Sequence, residues 1–187
     1  MRKLHVAVLL LLPAISATAL STQQFQSPAA GRSPDFSGTW RSNSTDWMDT
    51  PPGLRPARDP KTQLIVSQEK DSIRVVLVTL EDSSDNVRFS QTPLTYRFGG
   101  EWSGPFNLPP NSTVTTGAKW IENGRSLELS SVVVFQRRDG TGEFRITTTE
   151  NWSLDADGAL RRKIRQVLPP NRFLGSGIIE RTEWFRR

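Results

Sequence analysis

The chain has 187 residues, 24 Lys or Arg against 19 Asp or Glu, one histidine and no cysteine. Disulfides, cysteine nucleophiles and cysteine-bound metals are therefore excluded. A net charge of +5 over this length is too mild to imply a nucleic-acid partner, and none is expected.

The first stretch does not belong to a fold. Arg2-Lys3, the apolar run Val6 to Leu12 and Ala17-Thr18-Ala19 read as a secretory signal peptide, residues 1–19. The run is too short to cross a bilayer and no second one follows. An exported protein, periplasmic or extracellular and without a transmembrane segment, is expected. Residues 1–19 include Arg2, Lys3 and the single histidine, His5, so the remainder carries a net charge of +3. Without histidine, a Ser-His-Asp nucleophile, a histidine zinc site and a haem-ligating histidine fall away together.

Residues 20–34, rich in Gln, Ser, Ala, Gly and Pro, read as a flexible leader. Residues 35–187 suit one domain with one core. Asp35 to Trp40 is predicted to open it as a short strand. Asp49 to Pro60 carries four prolines and is predicted to be a wrapping loop. Thr62 to Gln68 and Ser72 to Leu80 are predicted strands, reversed around Lys70-Asp71. The second is apolar on both faces for part of its length, so its outer side needs cover. Glu81 to Asn86 reads as a solvated acidic turn, Leu94 to Phe98 as a short strand, and Gly99 to Pro110 as a Gly/Pro-rich crossing.

Val114 to Leu168 is the most legible stretch. Turns at Glu122-Asn123-Gly124-Arg125, Arg138-Asp139-Gly140-Thr141 and Asp155-Ala156-Asp157-Gly158 cut it into four strands. Parity sets Trp120 opposite Leu127, Ala118 opposite Leu129, Phe135 opposite Phe144 and Val133 opposite Ile146. After Asp157-Gly158, a longer loop with Gly158 in the left-handed region aligns the faces. It pairs Leu154 with Leu160 and Trp152 with Arg162. Pro169 to Gly177 is predicted to be a loop and Ile178 to Arg187 the last strand. About nine strands with neighbouring connections and no helix predict an all-β fold. An antiparallel up-and-down barrel of about eight to ten strands fits them best.

Gly38-Thr39-Trp40 on the first strand resembles the opening motif of lipocalin-like (calycin) barrels. The chain is also similar to small exported bacterial lipocalin-like proteins, with a tryptophan before a Gly turn at Trp120 to Leu127. Their Trp-Ser-Leu-x-x-Asp-Gly-x-Leu hairpin is matched by Trp152 to Leu160. The resemblance spans residues 35–187 and implies that Gly38 and Trp40 close one barrel end. It further implies that Arg181 or Arg186 of the last strand packs across Trp40. The sequence departs from true lipocalins in having no second lipocalin motif, no disulfide and no helix after the last strand.

The expected function is that of a binding module for a small, mostly apolar ligand. Trp120, Trp152, Phe135 and Phe144 point inward on parity and are candidates to line its pocket. Glu150 and Arg162, also inward and on adjacent strands, are candidates to orient a polar head group. A core role for each tryptophan competes with that of pocket lining. The alternative is a non-catalytic structural or envelope-interaction protein with a filled barrel. It would act through the outer basic face of Arg161, Lys163 and Arg165. A catalytic role is not expected, since nothing in the spacing of Glu101, Glu128 and Glu150 brings two carboxylates together. No cofactor or metal is implied; the expected partner is a small hydrophobic or amphipathic ligand.

Overall fold

Turn chemistry and alternation decide the architecture. The computed structural model describes residues 33–187 apart from 48–49, 51, 55–60, 81–86, 91–92, 105–110, 137–141 and 172–174. The predicted signal peptide, nearly all of the predicted leader and the predicted acidic turn lie outside the described residues.

Among the described residues, eleven strands form one antiparallel sheet. They are β1 (Gly38–Asp46), β2 (Thr62–Gln68), β3 (Ser72–Leu80), β4 (Val87–Ser90), β5 (Leu94–Arg97) and β6 (Glu101–Trp102). Then come β7 (Ser112–Ile121), β8 (Ser126–Gln136), β9 (Glu143–Leu154), β10 (Leu160–Asn171) and β11 (Gly175–Arg186). The order runs β4-β3-β2-β1-β11-β10-β9-β8-β7-β6, with β5 beside β3. First and last strands therefore lie side by side in mid-sheet. The sheet curls until β5 meets β7, where Phe98 bridges Ala118 and the Thr116 hydroxyl donates to the Thr95 carbonyl at 2.6 Å. The result is a nearly closed up-and-down barrel, as the sequence predicts. Among the described residues no helix is long and apolar enough to cross a membrane.

The predicted registers are present: Trp120 with Leu127, Phe135 with Phe144, Leu154 with Leu160 and Trp152 with Arg162. Asn123 (φ 56°) and Gly124 (φ 83°) supply the positive angles of the first turn. In the third, Gly158 at φ 78° closes the longer loop and Asp155 N–H donates to the Ala159 carbonyl at 2.9 Å. The middle turn lies outside the described residues.

Several predicted boundaries differ: the last strand starts at Gly175 rather than Ile178, and β4 forms where no strand is predicted. The first strand starts at Gly38 and continues to Asp46, a bulge near Ser42 and Ser44 letting it follow β11. β10 runs through the predicted loop to Asn171, with its register shifting between Leu168 and Asn171. That irregularity accommodates Pro169 and Pro170, which have no N–H for the ladder. The crossing after Phe98 contains the two-residue strand β6. In the proline-rich segment, Thr50 is buried and pinned to β11. Its hydroxyl donates to the Glu180 carbonyl at 2.6 Å and accepts from the Glu180 N–H at 2.8 Å.

Inward side chains fill one end of the barrel and leave the other open. Phe36, Trp40, Leu64, Leu127, Trp152, Leu160 and Phe185 pack the closed end, with Trp120 and Leu154 against them. On the outer side of β3, Val78 and Leu80 are buried, which meets the need for cover read from its two apolar faces.

Candidate functional site

The interior changes character halfway along. Glu150 on β9, Arg162 on β10 and Glu183 on β11 are inward, buried and charged, directly above the packed aromatic end. Register explains how they meet. Arg162 lies opposite Trp152 on one side and opposite Glu183 on the other, with Glu150 one diagonal step away. Arg162 donates from Nε to Glu150 Oε2 at 2.7 Å and from Nη2 to Glu150 Oε1 at 2.5 Å. Its Nη1 donates to Glu183 Oε2 at 2.8 Å. Glu183 Oε1 accepts from Arg181 Nε at 2.6 Å, and Glu150 Oε2 accepts from the Trp152 indole at 2.8 Å. Two carboxylates and two guanidiniums thus cancel within one hydrogen-bonded chain.

Electrostatics follow that geometry. Burial by itself would raise the Glu150 pKa. The Arg162 charge and hydrogen bonds, with those of Trp152 and Arg181, outweigh burial and hold it below the ordinary carboxylate value. Burial would likewise lower the Arg162 pKa, but Glu150 and Glu183 raise it, so the guanidinium stays charged. Tyr96 on β5 is pushed up by burial and by the Glu150 charge, and its hydroxyl, hydrogen-bonded with Ser131, stays protonated.

Above this layer lies a cavity of about 290 Å³. Its floor is Tyr96, Ser131, Glu150, Arg162 and Arg181; its walls are Val75, Leu77, Leu94, Val133, Ile146 and Ile164. Phe135, Thr148 and Gln166 stand towards the mouth, with Gln166 Nε2 donating to the Thr148 hydroxyl at 3.2 Å. Larger depressions lie on the outside of the barrel, one of about 500 Å³ beside Trp40 and Arg187 and one of about 380 Å³ over Gly99, Gly100 and Gly117. The interior cavity is more enclosed than either, and it combines apolar walls with convergent polar groups, the usual composition of a ligand site.

The predicted site residues divide. Glu150, Arg162 and Phe135 line the cavity. Phe144 is 38% exposed and stacks on Phe135, ring centroids 4.7 Å apart, at the open end. Trp120 and Trp152 are not among the lining residues. Trp152 is fully buried below the charged layer, and Trp120 stacks between Phe36 at 6.2 Å and Phe98 at 5.5 Å. Both belong to the closed end because their strand positions lie beyond Glu150 from the mouth.

Barrel closure needs one correction. Gly38, at φ +128°, occupies backbone that favours glycine, and Trp40 is 1% exposed with its indole donating to the Phe36 carbonyl at 2.9 Å. The guanidinium over the Trp40 ring, 4.5 Å from its centroid, belongs to Arg187, not to Arg181 or Arg186. Arg181 is inward but higher in the barrel, over Trp47 at 5.4 Å. Arg186 points outward and pairs with Asp157 at 3.0 Å. Arg187 shares the inward parity of Phe185, and its Nη2 also donates to the Asp35 and Ser37 carbonyls at 3.1 Å each.

The sequence does not point to Tyr96 and Ser131 of the floor, nor to Glu183, which pairs with Arg162 in the charged layer beneath it. On the outer face, Arg165 pairs with Glu180 at 2.9 Å, which offsets part of the basic strand. Compared with known proteins, the chain matches no family model and no curated sequence.

Proposed function

We propose that this protein is an exported binding module for a small, mostly apolar ligand held in the open half of a lipocalin-like barrel. The single observation that carries the reading is the interior cavity of about 290 Å³, with aliphatic walls and a hydrogen-bonded polar floor. That volume is at the low end of ordinary ligand pockets, about 300–1,000 Å³, so the occupant is small. A barrel working only through its outer surface has no use for such a space. Pairing of Arg165 with Glu180 also weakens the case for a polyanion partner.

The resemblance at Gly38-Thr39-Trp40 supports the same reading, with Trp40 and Arg187 sealing the end away from the ligand. The test is titration with the neutral fluorescent probe N-phenyl-1-naphthylamine. Saturable enhancement is expected for the wild type. Ile146→Trp, which fills the void from its wall, should abolish it while circular dichroism reports an intact barrel. Equal enhancement by both proteins would place the probe elsewhere and remove the reading.

A further inference from the structure

With the barrel interior as the ligand site, as proposed above, we infer that the ligand is an electrically neutral amphipath whose uncharged polar head rests on the Tyr96–Ser131–Arg162 floor. The observation is that the floor already closes its own charge account. Arg162 holds Glu150 through two nitrogens and Glu183 through a third, and Arg181 holds the other Glu183 oxygen.

A carboxylate entering the cavity would be a third anion beside two guanidiniums that already have carboxylate partners. An ammonium group would be a third cation by the same count. Either would lose its hydration for an environment with no net opposite charge, the costly case for buried ions. Arg162 meets an incoming anion only by releasing one of its glutamates, which strands that carboxylate instead.

A neutral head group faces no such penalty. Tyr96 and Ser131 offer a hydrogen-bonded pair of hydroxyls, Thr148 and Gln166 a paired hydroxyl and amide, and Glu150 a carboxylate edge. An alcohol, amide or ester therefore finds donors and acceptors without disturbing the ion pairs. Val133, Ile146 and Leu77 then cover the apolar part as it rises towards Phe135 and the mouth. The size of the cavity restricts that part to a short chain or a small ring system.

The decisive experiment compares octan-1-ol, octanoate and octylammonium by calorimetric titration of the whole protein at pH 7, where the acid and the amine are both charged. The alcohol is expected to bind at least about tenfold more tightly than either ion. Octanoate binding as tightly as the alcohol, or more so, would overturn neutrality and leave the binding-module reading standing. Failure of all three to saturate would overturn both.

Glu183→Gln gives a second handle. It removes one negative charge from the ion-pair layer beneath the cavity, so octanoate should gain on octanol by about tenfold or more. An unchanged ratio in a folded variant would overturn the charge count. The wild-type series stands by itself whatever the stability of that variant.

Discussion

Arg162 grips Glu150 through two nitrogens, at 2.7 and 2.5 Å, inside a barrel where both side chains are almost wholly buried. Neither residue could occupy that position without the other. Removing one partner strands a buried charge, at a cost of about 3–5 kcal/mol. Arg162→Leu and Glu150→Leu are each expected to lower stability by that amount in urea melts. The double variant should lose less than the sum, because Arg181 remains to pair with Glu183. Additive losses would show that the two side chains act independently.

The Glu150 carboxyl also predicts an acid response. Its folded pKa lies below the ordinary value of 4.5, because Arg162 outweighs the effect of burial. The unfolded chain therefore binds more protons as pH falls below 4.5. The contribution of Glu150 is complete above that pH and is lost as pH falls through the folded value. The stability gap between wild type and Glu150→Gln should be constant from pH 7 to about 5 and narrow below 4.5. A gap that narrows already between pH 7 and 5 would mean that the folded pKa is raised.

Trp40 and Arg187 form the seal of the closed end, 4.5 Å apart and held to the Phe36, Asp35 and Ser37 carbonyls. Trp40→Ala should cost about 3–5 kcal/mol, the usual range for a fully buried tryptophan. Arg187→Ala removes an exposed cation–π contact and should cost only about 0.5–1 kcal/mol. Arg186→Ala should have no effect on this seal. A larger loss for Arg186 than for Arg187 in denaturant melts would reverse the assignment.

The outer basic face separates the interior reading from a surface one. Changing Arg161, Lys163 and Arg165 together to Gln removes exposed or half-exposed charges and one surface ion pair worth about 0–1 kcal/mol. Affinity for N-phenyl-1-naphthylamine is expected to stay within about twofold of wild type. A large loss of probe binding in this variant would place the ligand on the outer strands.

The hairpins from Ser112 to Leu168 were legible because Asn-Gly and Asp-Gly turns set register and apolar alternation fixed the faces. The same parity placed Glu150 and Arg162 inward. Parity does not say how deep an inward residue sits, so it offers Trp120 and Trp152 as pocket lining although they lie below the charged layer. The last strand was ambiguous. Ile178, Trp184 and Ile179, Phe185 give apolar residues on both alternations, so nothing in the sequence chose between the faces. The structure turns Arg181, Glu183 and Phe185 inward, which brings Glu183 to Arg162 and Arg187 to Trp40. Tyr96 sits on a four-residue strand that pairs with β3 and meets β7 across the barrel seam, a contact that no local pattern announces.

The most direct measurement of interior binding is methyl NMR of the protein titrated with octan-1-ol. Resonances of Leu77, Val133, Ile146 and Ile164 should shift together and saturate at one stoichiometric equivalent. Those of Leu127 and Leu160, packed in the closed end, should stay in place. Shifts confined to outward residues such as Ile65 and Ile178, or no saturable shift at the cavity walls, would contradict a ligand site inside the barrel.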